Sequence, residues 1–134
     1  MSSGDGAYDV IILDVDAKDG LETGMSFPPP AFLAEDFLGH LRRVLSDSGV
    51  LVVNISSRSD KIWRQSMQKL RSEFPLLRYV ASDENVNRVV FASGERQPQA
   101  PAQLLRRLES IASRWDESQL EFVDTVAELR TFES

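Results

Sequence analysis

The 134-residue sequence contains no cysteine and a single histidine. Without cysteine the chain has no disulfide, no thiolate metal site and no cysteine nucleophile. The one histidine, His40, has no acid and serine near it in the sequence in a pattern typical of a hydrolase triad, so we interpret it as a partly exposed helix residue. Disulfide scaffolds and cysteine or serine hydrolases are therefore not indicated.

The sequence also lacks a basic cluster and a long apolar run. Its 15 basic residues are outnumbered by 21 acidic ones, the net charge is −6, and the basic residues are dispersed, so no nucleic-acid partner is predicted. No apolar run approaches the roughly 20 residues of a membrane span. Residues 1–7, MSSGDGA, lack the apolar segment of a secretory signal and are predicted to be a flexible lead. We expect a cytoplasmic protein without a membrane partner.

The stretch YDVIILDVDAKD places acids directly after an apolar run. Val10–Leu13 is typical of a strand buried on both faces of a parallel sheet. Ligand sites in open α/β sheets lie beyond the carboxyl ends of strands, so Asp14 and Asp16 are candidate catalytic residues, with a solvated loop as the alternative. Asp19, before Gly20, is expected to form an Asx turn. Three loop carboxylates suit Mg²⁺, but nothing else in the sequence converges on them, and no metal site is predicted.

A proline-rich connection follows these acids. Long ordered loops are often functional, so Phe27, Pro28 and Pro29 are candidate substrate-binding residues. Because preformed prolines are also good spacers, the alternative is a rigid lead into the next helix.

The rest of the chain, up to Gly94, alternates helical and strand patterns. Apolar residues recur at helical spacing over 30–45, and Gly49 is expected to form a turn before the strand Val50–Ile55. A second helix begins with Ser59 or Asp60 as its cap, has Trp63 on its apolar side, and ends by Pro75; LLRYVAS and NRVVFAS then form an antiparallel hairpin. The order predicts an α/β fold with right-handed crossovers and a mostly parallel sheet with one antiparallel member.

Asn54 and Ser56 lie at the tip of the second strand, and Asn54 is a further candidate for substrate binding. It is expected at the same edge of the sheet as the acids. The alternative is an ordinary hydrogen-bonding cap.

Beyond Gly94 the composition changes. Residues 95–101 are predicted to be a linker and 102–132 a helical tail, with apolar stripes over 104–115 and 120–129. Exposed stripes of this size favour aggregation, so the tail is expected to dock on the sheet or on another chain.

The segments DVDAKD, GMSFPPPAFL, FPLL and VNRVVFA together resemble the C-terminal methyltransferase domain of the elongation factor 1-alpha lysine and N-terminal methyltransferases, the methyltransferase-like 13 type. This group belongs to the class I S-adenosylmethionine-dependent methyltransferases with a spermidine-synthase-like fold. The resemblance implies a partial Rossmann-like fold in which residues 8–94 supply the 4-5-7-6 part of the 3-2-1-4-5-7-6 sheet.

The same resemblance implies a function. Asp14 matches the acid at the tip of the fourth strand, near the point of transfer, and the cofactor of the complete enzyme is S-adenosylmethionine. The substrate is a protein amine, with elongation factor 1-alpha as the implied partner. The sequence has no G-x-G turn between a strand and a helix, because Gly4 and Gly6 lie before the first strand, and it has no ribose-binding acid about 20 residues after such a turn. We therefore predict that the isolated fragment is inactive.

Two alternatives remain at this point. One is a spermidine-synthase-like aminopropyltransferase fragment, although that group usually has DSSDP where this chain has DVDAKD. The other is a non-catalytic interaction module, because an open edge along Val10–Leu13 favours strand addition and homodimerisation.

Overall fold

Six strands form one sheet in the part of the chain that this computed structural model describes, which comprises residues 6–15, 25–81, 86–94, 103, 106 and 128–133. In chain order the elements are β1 (Tyr8–Leu13), β2 (Met25–Phe27), a 3₁₀ helix (Pro30–Leu33), α1 (Glu35–Val44), β3 (Leu45–Ser57), α2 (Asp60–Arg71), β4 (Leu76–Ala81), β5 (Asn87–Ser93) and β6 (Arg130–Thr131). None of the helices within these ranges is long and apolar enough to span a bilayer.

The strand order is β1-β3-β5-β4-β6, and β2 pairs with β3 outside this path. β1 is parallel to β3, whereas β5 is antiparallel to both of its neighbours, β3 and β4. The sequence predicted four strands, which correspond to β1, β3, β4 and β5. Of these, β1, β3 and β4 run in the same direction, and β5 runs in the opposite direction between β3 and β4. This confirms the predicted hairpin and the inverted member, and it is the 4-5-7-6 order that the resemblance implies.

Both α-helices pack on one face of the sheet, which we call the covered face. Successive residues of a strand alternate between faces, and the buried residues of β3 fall on every second position, at Leu51, Val53 and Ile55. They form one apolar core with α1, α2 and the neighbouring strands. The core residues include Leu13, Leu33, Leu38, Leu41, Met67, Leu70, Phe74, Leu77, Val90 and Ala92.

The opposite face, which we call the open face, is apolar but accessible to solvent. In β1, Val10 is 56% and Ile12 is 72% exposed, so the expectation that this strand is buried on both faces is wrong. The physical reason is that α1 and α2 pack on the same side of the sheet. The apolar side chains of the open face are Tyr8, Val10, Ile12, Val50, Val52, Val80, Val89 and Phe91.

The helix predicted over 30–45 is divided at Ala34. This residue has an extended backbone, with φ −66° and ψ 145°, and it separates the 3₁₀ helix from α1. The acids Glu35 and Asp36 lie in the first turn of α1, and the basic Arg42 and Arg43 lie in its last turn, as favours the helix dipole.

The second helix begins as predicted. The Ser59 hydroxyl accepts a hydrogen bond from the Ile62 backbone N–H at 3.3 Å, which caps α2. Trp63 is 6% exposed, so its predicted place in the core is confirmed.

The turn predicted at Gly49 is instead an irregular stretch inside β3. The register with β1 shifts here, since Tyr8 pairs with Leu45 but Val10 pairs with Val50. A Cβ atom on Gly49 would lie 3.0 Å from both a Leu45 methyl carbon and the Ser46 carbonyl oxygen. The missing side chain therefore permits the close approach of the backbone.

The end of the described chain differs from the helical tail predicted over 102–132. Arg130–Thr131 forms β6, which pairs with β4, and the Phe132 backbone N–H donates to the Leu77 carbonyl at 2.9 Å. The edge of β4 offers backbone groups that only another extended segment can pair, which explains a strand at this position. Residues 1–5, 95–102 and 107–127, which include most of the predicted lead, linker and tail, lie outside the described residues.

Aromatic side chains hold this last segment in place. The Trp63 ring makes edge contacts with Tyr79 and Phe132, at centroid distances of 5.1 and 6.4 Å. Arg71 lies over the Phe132 ring and donates a hydrogen bond to the Phe132 carbonyl at 2.8 Å. The Arg88 guanidinium lies 4.3 Å from the Trp63 ring centroid, so this aromatic cluster joins α2, β4, β5 and the end of the chain.

Candidate functional site

The carboxyl ends of β1 and β3 bring two predicted site residues together. Leu13 pairs with Val53 in the parallel ladder, so Asp14 and Asn54 follow side by side at the same edge. The Asn54 Nδ2 atom lies 3.5 Å from Asp14 Oδ1, at the long limit of a hydrogen bond. By the alternation of side chains along β1 and β3, both residues belong to the open face. They lie at the edge of that face where the carboxyl ends of β1 and β3 meet.

The Asp14–Asn54 pair is accessible. Asp14 is exposed and Asn54 is half-buried. A carboxylate accepts hydrogen bonds, and an amide both donates and accepts them, so the pair can bind a group that carries N–H donors, such as an amine. The second predicted catalytic acid, Asp16, and the turn residue Asp19 lie outside the described residues.

The proline-rich segment also contacts the carboxyl end of β3, through the short strand β2. Met25 and Phe27 of β2 pair with Ser57 and Ser56, respectively, through the backbone. β2 therefore adds a short antiparallel strand beyond the point where β1 ends.

The two prolines that follow β2 have different environments. The ring of Pro28 is fully buried, and the substrate-binding role predicted for it stays a prediction. The alternative reading, a rigid spacer into the 3₁₀ helix, fits Pro28. Pro29 is half-buried and precedes the 3₁₀ helix, and its carbonyl accepts the Phe32 N–H at 2.9 Å. The backbone of Phe27 lies at the site, and its substrate role stays a prediction.

Sequence reasoning missed Ser57, which follows Ser56 at the end of β3. Ser56 and Ser57 are 5% and 4% exposed. The Ser57 hydroxyl accepts the Ser59 N–H at 3.1 Å, and the Ser57 N–H donates to the Val86 carbonyl at 3.0 Å. These bonds join the strand end to the cap of α2 and to the start of β5. The signal in the sequence is the polar run NISS at the end of an otherwise apolar strand.

Two surface depressions lie away from this edge. One is lined by charged residues of α1 with Glu73, and the other lies between the start of α1 and the outer side of α2. Neither includes Asp14 or Asn54. Both depressions are therefore separate from the Asp14–Asn54 pair.

Among the residues that the structure describes, the strand ends carry no glycine-rich turn of the kind that cradles a nucleoside cofactor. In Rossmann-like folds that cradle needs a glycine-rich turn between a strand and a helix and an acid that binds the ribose. The one G-x-G of the sequence, Gly4-Asp5-Gly6, lies directly before β1 and not between a strand and a helix of this chain. Asp14 and Asn54 fit the binding of an amine, and they do not replace the missing turn.

Comparison with known proteins identifies relatives of this chain. It is 33% identical over 122 residues to the eEF1A lysine and N-terminal methyltransferase of Xenopus laevis, an alignment that covers 85% of this chain and 18% of that protein. The chain thus spans less than a fifth of the length of this relative. No family model matches the chain.

Two solved structures share the fold. Human methyltransferase-like protein 13 in complex with SAH superimposes with a TM-score of 0.70 at 32% identity, covering 82% of this chain and 52% of that one. A probable spermidine synthase from Corynebacterium glutamicum gives a TM-score of 0.60 at 21% identity, covering 78% and 39%, which shows the fold alone. By sequence and by strand order, this chain is a homologue of part of the eEF1A lysine and N-terminal methyltransferases, with a partial Rossmann-like methyltransferase fold.

Proposed function

We propose that this chain forms the substrate side of a methyl-transfer site that acts on a protein amine. The observation that supports this most directly is the Asp14–Asn54 pair at the ends of two parallel strands in a methyltransferase-like sheet. The Xenopus laevis relative is named for methylation of lysine and of an N-terminus, both of which are amines. We therefore propose eEF1A, named in the same relative, as the protein substrate.

The proposed role of Asp14 follows from the chemistry of nitrogen methylation. An amine attacks only when it is uncharged and when its lone pair points at the methyl group. The Asp14 carboxylate accepts a hydrogen bond from an amine N–H, which fixes the direction of the lone pair. Asn54 holds the carboxylate through its Nδ2 and so acts as a positioning residue.

The methyl donor of this reaction class is S-adenosylmethionine, and its demethylated product is the SAH present in the human structure. Because this sequence has no G-x-G turn between a strand and a helix, we propose that the 134-residue polypeptide alone neither binds this donor tightly nor transfers methyl groups. Isothermal titration calorimetry checks this directly. A micromolar dissociation constant for S-adenosylmethionine would contradict it.

A chimera tests the proposed function itself. This chain replaces the matching region of human methyltransferase-like protein 13, and transfer of a labelled methyl group to eEF1A is measured. We expect activity in the chimera, and we expect Asp14→Asn to lower kcat on the order of 100-fold, because a misoriented amine rarely reaches the productive geometry. Asn54→Ala should lower kcat about 2- to 10-fold, the size of one net hydrogen bond.

The matched control is Asp47→Asn, which removes an exposed carboxylate near the start of β3, far from the carboxyl ends of β1 and β3. It should leave kcat unchanged. An active chimera in which Asp14→Asn and Asp47→Asn behave alike would refute the role of Asp14. A folded but inactive chimera would refute the proposed function.

Aminopropyl transfer, the alternative from the same fold, has weaker support. The spermidine synthase neighbour is 21% identical and shows the fold alone, whereas the sequence relatives are methyltransferases. Turnover of putrescine with decarboxylated S-adenosylmethionine by the chimera would favour the alternative.

A role as an interaction module also stays a prediction. β1 is the terminal strand in the order of the described sheet, so one of its edges is free to pair there with a second copy of the chain. Size-exclusion chromatography with light scattering measures this. A strict monomer at high concentration would contradict the homodimer.

The cytoplasmic location expected from the sequence also stays a prediction.

A further inference from the structure

The last described residues are attached to the sheet by a small number of contacts. We call residues 128–133 the end segment. It pairs with β4 through the two residues of β6, Arg130 and Thr131, whose side chains are exposed. Phe132, which follows them, is 7% exposed and is the buried side chain of the end segment. The attachment therefore consists of a short backbone pairing and one aromatic anchor.

Phe132 fills a pocket between α2 and β4. Its ring makes an edge contact with Trp63 at a centroid distance of 6.4 Å, and the Arg71 guanidinium carbon lies 5.4 Å from its ring centroid. Its backbone N–H donates to the Leu77 carbonyl at 2.9 Å, and its carbonyl accepts a hydrogen bond from Arg71 at 2.8 Å. We call Trp63, Arg71 and Leu77 the anchor pocket. With the edge of β4, the anchor pocket fits an extended backbone that carries one aromatic side chain, as in strand addition.

The end segment lies far enough along the chain to reach another copy. β5 ends at Ser93, and the end segment begins at Glu128. A chain of the intervening length spans at most about 120 Å when fully extended. A folded domain of this size has a radius of gyration of only about 14 Å. The end segment can therefore reach the anchor pocket of its own copy or that of a neighbour.

Exchange between copies keeps every contact of the end segment. Because it contributes a two-residue strand and one buried side chain, its release leaves the rest of the core in place. Exchange of such a terminal element is a low-cost route to a dimer, since the contacts in the two forms are identical. In dilute solution the closed form dominates, because attachment to the same chain raises the effective concentration of the end segment.

We propose that the anchor pocket and the edge of β4 form a peptide-binding site, and that a second copy of the chain occupies it by exchange of its end segment. The ligand is an extended peptide with one aromatic residue, whose carbonyl accepts the hydrogen bond from Arg71. The site lies at the opposite end of the strand order from β1, so it is separate from the Asp14–Asn54 pair.

Two variants of the full chain with complementary defects test the exchange. Phe132→Ala keeps the anchor pocket but lacks the anchor. Arg71→Glu keeps the anchor but removes the donor to the Phe132 carbonyl and replaces it with a negative charge. Neither variant alone can form the complete contact, whereas a mixture can form a heterodimer through one exchanged end segment. By analytical ultracentrifugation at high concentration, we expect at least about fivefold more dimer in the mixture than in either variant alone, since burial of a phenylalanine side chain favours binding by more than this ratio.

The matched control is a mixture of Glu133→Ala and Arg64→Glu, which change exposed neighbours of the anchor and of the pocket. This mixture should contain no more dimer than its separate components. Circular dichroism checks the fold of each variant. Arg130→Pro replaces Phe132→Ala if that variant unfolds, because proline removes a backbone N–H of β6 and no buried side chain. Arg71→Gln replaces Arg71→Glu for the same reason.

A synthetic peptide with the sequence of residues 128–133, ELRTFE, tests the site without a second copy. Fluorescence polarisation of the labelled peptide measures its binding to the full chain. It should bind Phe132→Ala at least about tenfold more tightly than the unchanged chain, whose own end segment competes. A peptide that carries Phe132→Ala should bind at least about tenfold more weakly, the ratio expected for burial of one phenylalanine side chain.

Three results would overturn the proposal. A mixture of the complementary variants that stays monomeric would exclude a second copy as the occupant, and peptide binding in that case would assign the site to a different polypeptide. Equal amounts of dimer in the mixture and in each variant alone would place the association on another surface, such as the edge of β1. Equal binding of the two peptides would show that Phe132 is not the anchor.

Discussion

The two faces of the sheet are built from similar residues but have different environments. Leu51, Val53 and Ile55 point to the covered face and are at most 1% exposed, whereas Val10 and Ile12 point to the open face and are more than half exposed. Strand composition alone does not distinguish them, because valine and isoleucine occur on both. The difference comes from α1 and α2, which both pack on the covered face.

This comparison separates the residues that stabilise the fold from those of the proposed site. The covered face contains the apolar core and the aromatic cluster, and it holds the strands in register. The open face contributes Asp14 and Asn54 at its edge and has apolar surface available for other contacts. A change on the covered face should therefore alter folding, and a change on the open face should alter association or substrate binding.

The largest expected effect is from a truncation in the core. Leu51→Ala should lower the free energy of unfolding by about 2–5 kcal/mol, because it leaves a cavity in a fully buried position. Its control, Val10→Ala, truncates an exposed side chain on the neighbouring strand and should change the free energy by less than about 0.5 kcal/mol. Urea denaturation followed by circular dichroism measures both. Equal losses would show that the two faces are equally packed.

The next effect concerns the aromatic cluster on the covered side. Arg88→Gln should lower the free energy of unfolding by about 1 kcal/mol, because the guanidinium lies over the Trp63 ring. Asp60→Asn removes the other partner of Arg88, a carboxylate that is 85% exposed and lies 3.6 Å away, and should have a smaller effect since exposed ion pairs contribute little. If Asp60→Asn costs more than Arg88→Gln, the ion pair and not the ring contact holds Arg88.

A change of similar or smaller size is expected at the cap of α2. Ser59→Ala removes the hydroxyl that accepts the Ile62 N–H and should cost about 1 kcal/mol. Ser72→Ala, at the other end of the helix, removes an exposed hydroxyl that donates to the Lys69 carbonyl and should cost less. Thermal unfolding of the two variants side by side compares the caps, and a larger loss for Ser72→Ala would reverse their order.

The smallest effect on folding is expected on β1. Ile12→Lys places a charge at a position that is 72% exposed and should change the free energy of unfolding by less than about 0.5 kcal/mol. If the chain self-associates through β1, the same variant should shift it towards monomer, because a lysine on an edge strand opposes further pairing. Light scattering measures the oligomeric state of the variant and of the unchanged chain. A marked loss of stability would show that Ile12 is buried in solution.

Much of the fold is predictable because its signals are local. Apolar spacing gives α1 and α2, the serine before Asp60 gives a cap, and two short strands around a polar turn give the hairpin of β4 and β5. The proximity of Asp14 and Asn54 is predictable for a related reason, since side chains that follow parallel strands lie at one edge of the sheet.

Other features depend on contacts between distant residues. The division at Ala34, the irregular stretch at Gly49 and the burial of Pro28 arise from packing against segments that local patterns do not specify. The strand β6 is likewise decided by the free edge of β4, which lies far from it in sequence.

The sequence by itself determined the alternation of strands and helices, the inverted last strand of the hairpin and the acid at the end of β1. The tertiary structure alone decided that both helices lie on one side and that the apolar residues of β1 face solvent on the other. The physical reason is that a run of valine and isoleucine specifies a strand, whereas its burial depends on which elements reach each face of the sheet.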